Sequence, residues 1–449
     1  MKLIPSCRFR SFHENTRLNK FAFLFFTISV GFSSCNKENY SEQSQLNQGQ
    51  ALDIYLAGST GDGIHPKATY WKNGHEVTLT DGSSYAEATS IAVSGTDVYV
   101  AGYVYNGSYY VAKYWKNGKA IPLSDGRGPS IAYAITVSGT DVYVAGYESN
   151  SIKTIAKYWK NGIEVSLTDG TNNAAAYAIV VEGDDVYIAG EEFNGINNVA
   201  KYWKNGRSVS LTDGSKEAHA YSIAVSGTDI YVSGSEMNGI NGNMVAEYWK
   251  NGTVFHLTDG SNYARANAIT VSDGVVFVAG AENKDGNYFV AKYWVNGVAV
   301  ANTDSLNYSM ASSIAVREHD IYLAGKELQG AFMQGQPVAL YWKNGIEVPV
   351  QDSSRAGGWT NSVILSENGS QVKKKNRGID YLSETSEQQD ESHSFVDILF
   401  SVFHFLKNSP TYSTTNKVSH YNRGNQFTRP KANQSKRNPV VANRMRMPR

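Results

Sequence analysis

The chain has 449 residues and a formal net charge of zero, but charge is divided unevenly along it. Residues 35–368 carry 22 Lys and Arg against 34 Asp and Glu, whereas residues 369–449 carry 14 against 6. An acidic central region argues against nucleic acid as a partner, because clustered Lys and Arg are needed to bind phosphate backbones.

The start of the chain is typical of a secretory signal. Residues 1–20 are basic, and an apolar run at 21–32 follows that is too short to span a bilayer stably. The run leads into Phe32-Ser33-Ser34-Cys35, which resembles the lipobox of bacterial lipoproteins, with small residues just before the cysteine and Phe32 in place of the usual Leu. We predict a lipoprotein-type signal peptide over 1–34, with Cys35 lipidated and held by envelope lipid. The alternative is an ordinary secretory signal followed by an incidental cysteine.

Residues 35–50 are polar and nearly free of apolar side chains, as in a flexible tether. The pair Lys37-Glu38 resembles a short charged signal by which some Gram-negative lipoproteins reach the outer face. The predicted location is therefore the cell envelope, as an outer-membrane lipoprotein, with exposure at the cell surface as one option.

From residue 51 to residue 368 the chain repeats a unit of about forty-four residues. The marker of the unit is a Tyr-Trp pair, and x-Asn-Gly follows each pair. Asn-Gly between apolar runs is the strongest short signal for a type I′ hairpin. The seven tryptophans are Trp71, Trp115, Trp159, Trp203, Trp249, Trp294 and Trp342.

Each unit predicts four strands, which in the second copy lie at 90–93, 97–101, 110–116 and 120–123. One such meander cannot bury both of its apolar faces, whereas seven arranged radially pack face to face. We predict an all-β fold, a seven-bladed β-propeller of four-stranded antiparallel blades over 51–368.

The ends of the repeat region predict how the ring closes. The first copy begins at Asp53, in the second strand of the unit, so the first blade lacks its first strand. Residues 361–366 match that missing strand, and pairing them with 53–57 would remove the exposed edges. The Gly that closes the second strand indicates positive φ or close backbone approach. It is kept in all seven copies: Gly58, Gly102, Gly146, Gly190, Gly234, Gly280 and Gly325.

The repeat resembles known propeller units. The order of Val-Tyr-Val-Ala-Gly and Tyr-Trp resembles a kelch-type blade, although kelch blades carry Gly-Gly where this chain carries Ala-Gly. The string AKYWKNGKAIPLSD at 112–125, followed by Ala-Tyr-Ala-Ile at 132–135, is similar to the extracellular HAF repeats of bacterial proteins. These resemblances imply a propeller and a secreted or surface protein, and they assign no activity.

The loops of the unit differ in variability. The SGTD turn and the Asn-Gly turn are nearly constant, whereas the segments between the second and third strands vary in length and side chains. Variable loops on a rigid scaffold are the usual layout of a binding surface. The alternative is that their aromatic residues only cover the blade ends. The predicted ligand contacts are Tyr105, Tyr109, Phe193, Tyr288 and Phe332.

Two recurring residue types suggest other sites. The tryptophans could stack on sugar rings, but Tyr114 and Trp115 alternate along a strand whose two sides are both covered, which favours core packing.

The Asp-Gly loops, such as that at Asp81, could suggest a calcium site. One carboxylate per loop is too few for calcium, so turn formation is favoured, and we predict no metal and no cofactor.

Enzymatic functions have little support in the residues. The sequence has no sialidase-type Ser-x-Asp-x-Gly-x-Thr-Trp box, no cysteine in 36–449, and no histidines at metal or triad spacing. We predict a non-catalytic binding or interaction module whose partner is a surface glycan or a protein. The alternatives are a polysaccharide-active enzyme with a site at the propeller channel mouth, and a purely structural envelope protein.

Residues 369–449 lose the repeat and are basic and rich in Ser, Asn and Gln. We predict a disordered tail. Translation in a shifted frame and a functional basic arm are the two explanations that the sequence leaves open.

Overall fold

The computed structural model describes residues 52–61, 64–150, 152–284, 288–301, 308–328, 337–350 and 357–367. The predicted signal peptide, Cys35, the tether and the tail at 369–449 lie outside the described residues. The described residues form 28 strands in seven four-stranded antiparallel sheets. This strand order is that of a seven-bladed β-propeller and confirms the predicted fold class.

The strands are given blade by blade, from the innermost to the outermost. Blade 1 consists of β28 (Gly358–Glu367), β1 (Leu52–Thr60), β2 (Lys67–Lys72) and β3 (His75–Thr78). Blade 2 consists of β4 (Ala86–Ser94), β5 (Asp97–Tyr105), β6 (Tyr110–Lys116) and β7 (Lys119–Pro122). Blade 3 consists of β8 (Ser130–Ser138), β9 (Asp141–Ser149), β10 (Thr154–Lys160) and β11 (Ile163–Ser166). Blade 4 consists of β12 (Ala174–Glu182), β13 (Asp185–Phe193), β14 (Asn198–Lys204) and β15 (Arg207–Ser210).

Blade 5 consists of β16 (Ala218–Ser226), β17 (Asp229–Glu236), β18 (Val245–Lys250) and β19 (Thr253–His256), with a short 3₁₀ turn at Ile240–Gly242. Blade 6 consists of β20 (Ala264–Ser272), β21 (Val275–Lys284), β22 (Tyr288–Val295) and β23 (Val298–Ala301). Blade 7 consists of β24 (Tyr308–Arg317), β25 (Asp320–Leu328), β26 (Pro337–Lys343) and β27 (Ile346–Pro349).

The ring closes as the sequence predicts. Strand β28 pairs antiparallel with β1, with Leu365 opposite Ile54 and Ile364 opposite Tyr55. The innermost strands of neighbouring blades contact one another all the way round the axis. Strands from both ends of the propeller therefore complete blade 1, which has four strands like the other six blades.

The face that carries the first-to-second strand turns and the Asn-Gly turns is called the lower face here. In the Asn-Gly turns Asn has φ of 47–53° and Gly has φ of 78–82°, which confirms the predicted type I′ hairpins. In blade 2 the Asp97 carboxylate accepts hydrogen bonds from Asn117 Nδ2 (2.8 Å) and Lys116 Nζ (2.8 Å). Lys116 also lies over the ring of Tyr99, 5.1 Å from its centroid. We call this group the lower bracket.

The closing glycines are explained by close approach and not by φ. A Cβ atom on Gly102 would lie 2.0 Å from the carbonyl oxygen of Glu87, and the other six closing glycines give 1.9–2.1 Å. Opposite each of them the innermost strand gains one residue, a β-bulge, which in blade 2 is Thr89. The bulge lets both strands continue towards the upper face beyond the glycine. Strand β5 accordingly runs to Tyr105, whereas the sequence predicted its end near Ala101.

The seven tryptophans form the core between blades. Each is at most 1% exposed. Trp159 of blade 3, for example, packs in one cluster with Tyr99 and Tyr114 of blade 2. The prediction that the tryptophans serve as core is confirmed, because a fully buried ring cannot stack on a sugar.

Candidate functional site

The upper face carries the second-to-third strand loops and the blade-to-blade links. There the innermost strands differ from blade to blade, and we call their upper end the channel mouth. The bulged position is held by Thr89, Tyr133, Tyr177, Tyr221, Asn267, Ser312 and Asn361. The position two residues earlier is held by Glu87, Ile131, Ala175, His219, Arg265, Met310 and Trp359. Bulges commonly redirect side chains next to functional sites.

Three consecutive blades place tyrosines at the bulge. The ring centroid of Tyr177 lies 5.1 Å from that of Tyr133 and 6.1 Å from that of Tyr221. Burial raises the pKa of all three, that of Tyr221 to about 12. These hydroxyls therefore stay neutral at physiological pH and can both donate and accept hydrogen bonds.

A buried carboxylate joins these tyrosines to a histidine. Glu191 Oε1 accepts a hydrogen bond from the Tyr177 hydroxyl at 2.9 Å, and Oε2 contacts Nδ1 of His219. The other ring nitrogen of His219 lies 3.4 Å from Glu217 Oε1. The imidazole stacks on Tyr221 at 5.6 Å. Blades 4 and 5 thus share a network in which each polar group is fixed by a neighbour.

The second carboxylate of the mouth, Glu87, links blade 2 to the closing strand of blade 1. Its Oε1 accepts hydrogen bonds from Trp359 Nε1 (2.9 Å) and Asn361 Nδ2 (2.8 Å). Its Oε2 accepts one from the Tyr103 hydroxyl. Burial, followed by the charge of Glu87, raises the pKa of Tyr103 far above its usual value. This carboxylate stabilises ring closure.

Blades 6 and 7 place cations at the upper face. Arg265 Nε and Nη2 donate to the Tyr263 hydroxyl at 3.1 and 2.8 Å, and the guanidinium lies 5.2 Å from the centroid of that ring. Lys326 Nζ lies 5.7 Å from the ring centroid of Tyr308. Within the described ranges, no Asp or Glu forms an ion pair with either cation.

Two of the sequence-predicted aromatics lie together on blade 2. Tyr105 is 37% exposed and Tyr109 is 42% exposed. The Tyr105 ring lies 5.5 Å from Tyr110, which the sequence analysis did not select. Tyr110 in turn contacts Tyr103 at 5.1 Å and Tyr85 at 5.5 Å. The structure therefore extends the predicted pair into a cluster that begins at the rim and continues inwards.

The other predicted aromatics are not brought together with these two. Phe193 ends β13 in blade 4, and Tyr288 begins β22 in blade 6, and both are half-buried. Phe332 lies outside the described residues. The residues that the sequence analysis missed are those of the channel mouth. Comparison of the copies at the bulge position could have found them, since Tyr133, Tyr177 and Tyr221 recur there.

The Asp-Gly loops form turns, as predicted. Asp81 Oδ1 accepts hydrogen bonds from the Ser83 backbone N–H (2.9 Å) and hydroxyl (2.7 Å), and these bonds lower the pKa of the Asp81 carboxyl. In the part of the chain that the structure describes, no three His, Cys, Asp or Glu side chains are grouped to hold a metal ion. No helix formed by the described residues is long and apolar enough to cross a membrane.

No protein-family model matches the chain, and no curated protein matches it. Among the solved structures that match is a puromycin-hydrolysing peptidase of Mycobacterium tuberculosis, with a TM-score of 0.47 and 11% sequence identity. The match covers 67% of this chain and 51% of the peptidase chain, so this chain spans about half the length of that protein. The fold assignment rests on the strand topology, and a likeness of this level says nothing about activity.

Proposed function

We propose that this protein is an envelope lipoprotein, anchored through Cys35, whose HAF-type, kelch-like propeller binds a glycan on its upper face without catalysis. The observation that carries the proposal is a row of tyrosine rings on blade 2. It starts at Tyr103, which donates to Glu87 at the channel mouth, and passes through Tyr110 to the exposed Tyr105. Aromatic faces with hydroxyl tips suit sugar rings, which are apolar on their C–H faces and polar at their edges.

The carboxylates of the mouth favour binding over hydrolysis. In the usual glycosidase arrangement, one carboxyl group donates a proton and a second attacks or activates water. Here both oxygens of Glu87 and of Glu191 already accept hydrogen bonds or contact a histidine. Groups held in this way are better suited to fixing the shape of a binding surface.

A protein partner is the second candidate, and one observation favours it. The second-to-third strand loops of four blades present exposed isoleucines at their tips. These are Ile64, Ile152, Ile196 and Ile240, which are 63–83% exposed. Apolar side chains at separate loop tips can each enter a pocket on a partner.

A glycan array probed with the purified full chain tests the proposal. We expect a reproducible glycan hit whose affinity falls about tenfold in Tyr105→Ala and in Tyr110→Ala, because each change removes one stacking ring. Ile163→Ala, at an exposed site near the lower face, is the matched control and keeps the wild-type affinity. If no glycan binds, while a partner pulled down from envelope extract is lost on replacing Ile152 and Ile196 by Ser, the protein-partner function replaces the glycan function.

The anchor is tested separately. Wild-type protein is expected in the detergent phase of a phase separation and to incorporate labelled palmitate, because an acylated Cys35 carries the lipid. Cys35→Ala is expected in the aqueous phase without label. Equal partitioning of the two proteins contradicts the lipid anchor and leaves the glycan proposal standing.

A further inference from the structure

Two cations in neighbouring blades of the upper face, Arg265 and Lys326, form no ion pair with a described Asp or Glu. Lys67, Lys113, Lys119, Lys153 and Lys216 also form no ion pair with a described Asp or Glu, whereas nine other described lysines are paired with these residues. Lys157, for example, lies 2.7 Å from Glu148 and 2.6 Å from Glu164. The hydrogen bonds and cation–π contacts that Arg265 and Lys326 make with described residues are instead all made with tyrosines.

The guanidinium of Arg265 is held by the Tyr263 hydroxyl and has further N–H groups that could bind a ligand. Its Nε and Nη2 donate to one acceptor, the Tyr263 hydroxyl. Nη1 donates to no described atom, and Arg has five N–H groups in all. A half-buried charge is costly when no opposite charge compensates it, so an anion from outside would be stabilised here. The fork of donors matches a carboxylate, which Arg binds through two parallel hydrogen bonds.

The surrounding groups narrow the class of anion. The phenols of Tyr221, Tyr263 and Tyr308 are near enough to influence the guanidinium, and they offer hydrogen bonds to hydroxyl groups next to the bound charge. The same mouth carries Glu87 and Glu191, which repel ligands with dense negative charge. A sugar with one carboxylate and several hydroxyls fits these groups better than a polyphosphate.

We infer that the ligand of the channel mouth is an acidic glycan whose sugar carboxylate is bound by Arg265, with Lys326 adding charge from the next blade. This inference rests on the proposed glycan-binding function and names its substrate class. The acidic sugar would sit over blades 6 and 7, and neighbouring sugars of the same glycan would extend across the mouth to the tyrosine row of blade 2.

The test compares carboxylate glycans with their methyl esters. Oligogalacturonate, hyaluronan fragments and sialylated oligosaccharides, each with its carboxyl-methylated form and with neutral glycans alongside, are titrated into the full chain. We expect at least one acid to bind ten or more times tighter than its ester. In Arg265→Gln that preference falls at least tenfold while the affinity for the ester is unchanged. Arg207→Gln, at an exposed site on outer strand β15, is the matched control and keeps the preference.

Lys326→Gln gives a second measurement should Arg265→Gln fold poorly in a melting control. We expect this variant to reduce the preference for the acid about threefold to fivefold. The salt dependence of binding should stay as in the wild type for the esters and for the neutral glycans. Equal binding of acids and esters by the wild type, or an Arg265→Gln effect no larger than that of Arg207→Gln, overturns the acidic-ligand inference alone. Binding of no glycan, acidic or neutral, overturns the proposed function as well.

Discussion

The two faces of the propeller are built on the same strands, but their residues repeat on one face and vary on the other. On the lower face six blades repeat the bracket, with Asp–Lys and Asp–Asn contacts of 2.7–2.9 Å. Blade 6 has Val275, Phe277 and Val295 in place of the Asp, Tyr and Lys of the bracket, and it keeps Asn296, whose Oδ1 accepts a hydrogen bond from the Val276 backbone N–H. On the upper face no two blades present the same pair of mouth residues. The Asp, Tyr and Lys of the bracket are therefore present or absent together, whereas the mouth residues differ from blade to blade.

The closing glycine divides these two regions, and its replacement should have the largest effect. Gly102→Ala would place a Cβ atom 2.0 Å from the carbonyl oxygen of Glu87, so the bulge or the pairing of β4 with β5 must break. We expect a loss of about 3 kcal/mol or more in the free energy of unfolding. Urea unfolding measures it.

Gly118→Ala is the matched control, because a Cβ there meets nothing within 4 Å and only the φ of 81° is unfavourable. Its expected cost is about 1 kcal/mol. Equal costs for the two variants would show that conformation, and not close approach, keeps the glycine.

The next largest effect on the free energy of unfolding is expected from a substitution in the third strand of blade 5, near the upper face. Lys157, Lys201 and Lys292 each bond a glutamate of the second strand in their blades. Blade 5 has Glu247 there, which is fully buried with Oε1 unpaired in the described structure and Oε2 2.8 Å from His256 Nδ1. Glu247→Lys should pair with Glu236 and raise the free energy of unfolding by about 1–3 kcal/mol.

Glu247 is also expected to make the free energy of unfolding depend on pH. Burial, reinforced by the charge of Glu236, raises the pKa of Glu247 to about 8. Between about pH 4.5 and pH 8 the unfolded chain loses this proton while the folded chain keeps it, so wild-type stability falls as pH rises. The contribution of this group is at most about 1.4 kcal/mol per pH unit. Glu247→Gln should remove it from stability curves measured at pH 5 and pH 8, and a slope identical to that of the wild type would contradict the raised pKa.

The smallest effect is expected from rebuilding the lower bracket in blade 6. Val275→Asp alone introduces a carboxylate without its Lys partner and should lower the melting temperature by about 2–4 °C. Adding Val295→Lys and Phe277→Tyr should restore the wild-type value, because the bracket is then complete. A triple variant no more stable than Val275→Asp would mean that the three residues do not act as a unit.

The sequence predicted those features that are local or strictly periodic. The Asn-Gly turns, the buried tryptophans and the closing strand at 361–366 follow from dipeptide conformation, alternation and one missing strand in the first copy. The bulge at Thr89 could not be read in this way, because it depends on how closely the Gly102 backbone approaches another strand. Because β5 continues past that glycine, Tyr105 lies at the end of a strand and not in a loop as the sequence predicted.

The contacts of the channel mouth were harder to predict from the sequence than the bulge. These contacts join residues from different blades, such as Trp359 and Glu87, or Glu191 and His219. No spacing within one unit reports such pairs, because radial packing brings the same positions of different copies together. The unpaired state of Arg265 is visible only when the positions of all neighbouring carboxylates are known.

The shared construction of blade 1 also sets an order of events during synthesis. Strand β1 is made first, but its inner neighbour β28 ends at Glu367, more than three hundred residues later. Until that strand is made, the inner edge of β1 has no strand to pair with, and the ring cannot close. The strand that completes the ring is therefore the last of the propeller strands to be synthesised.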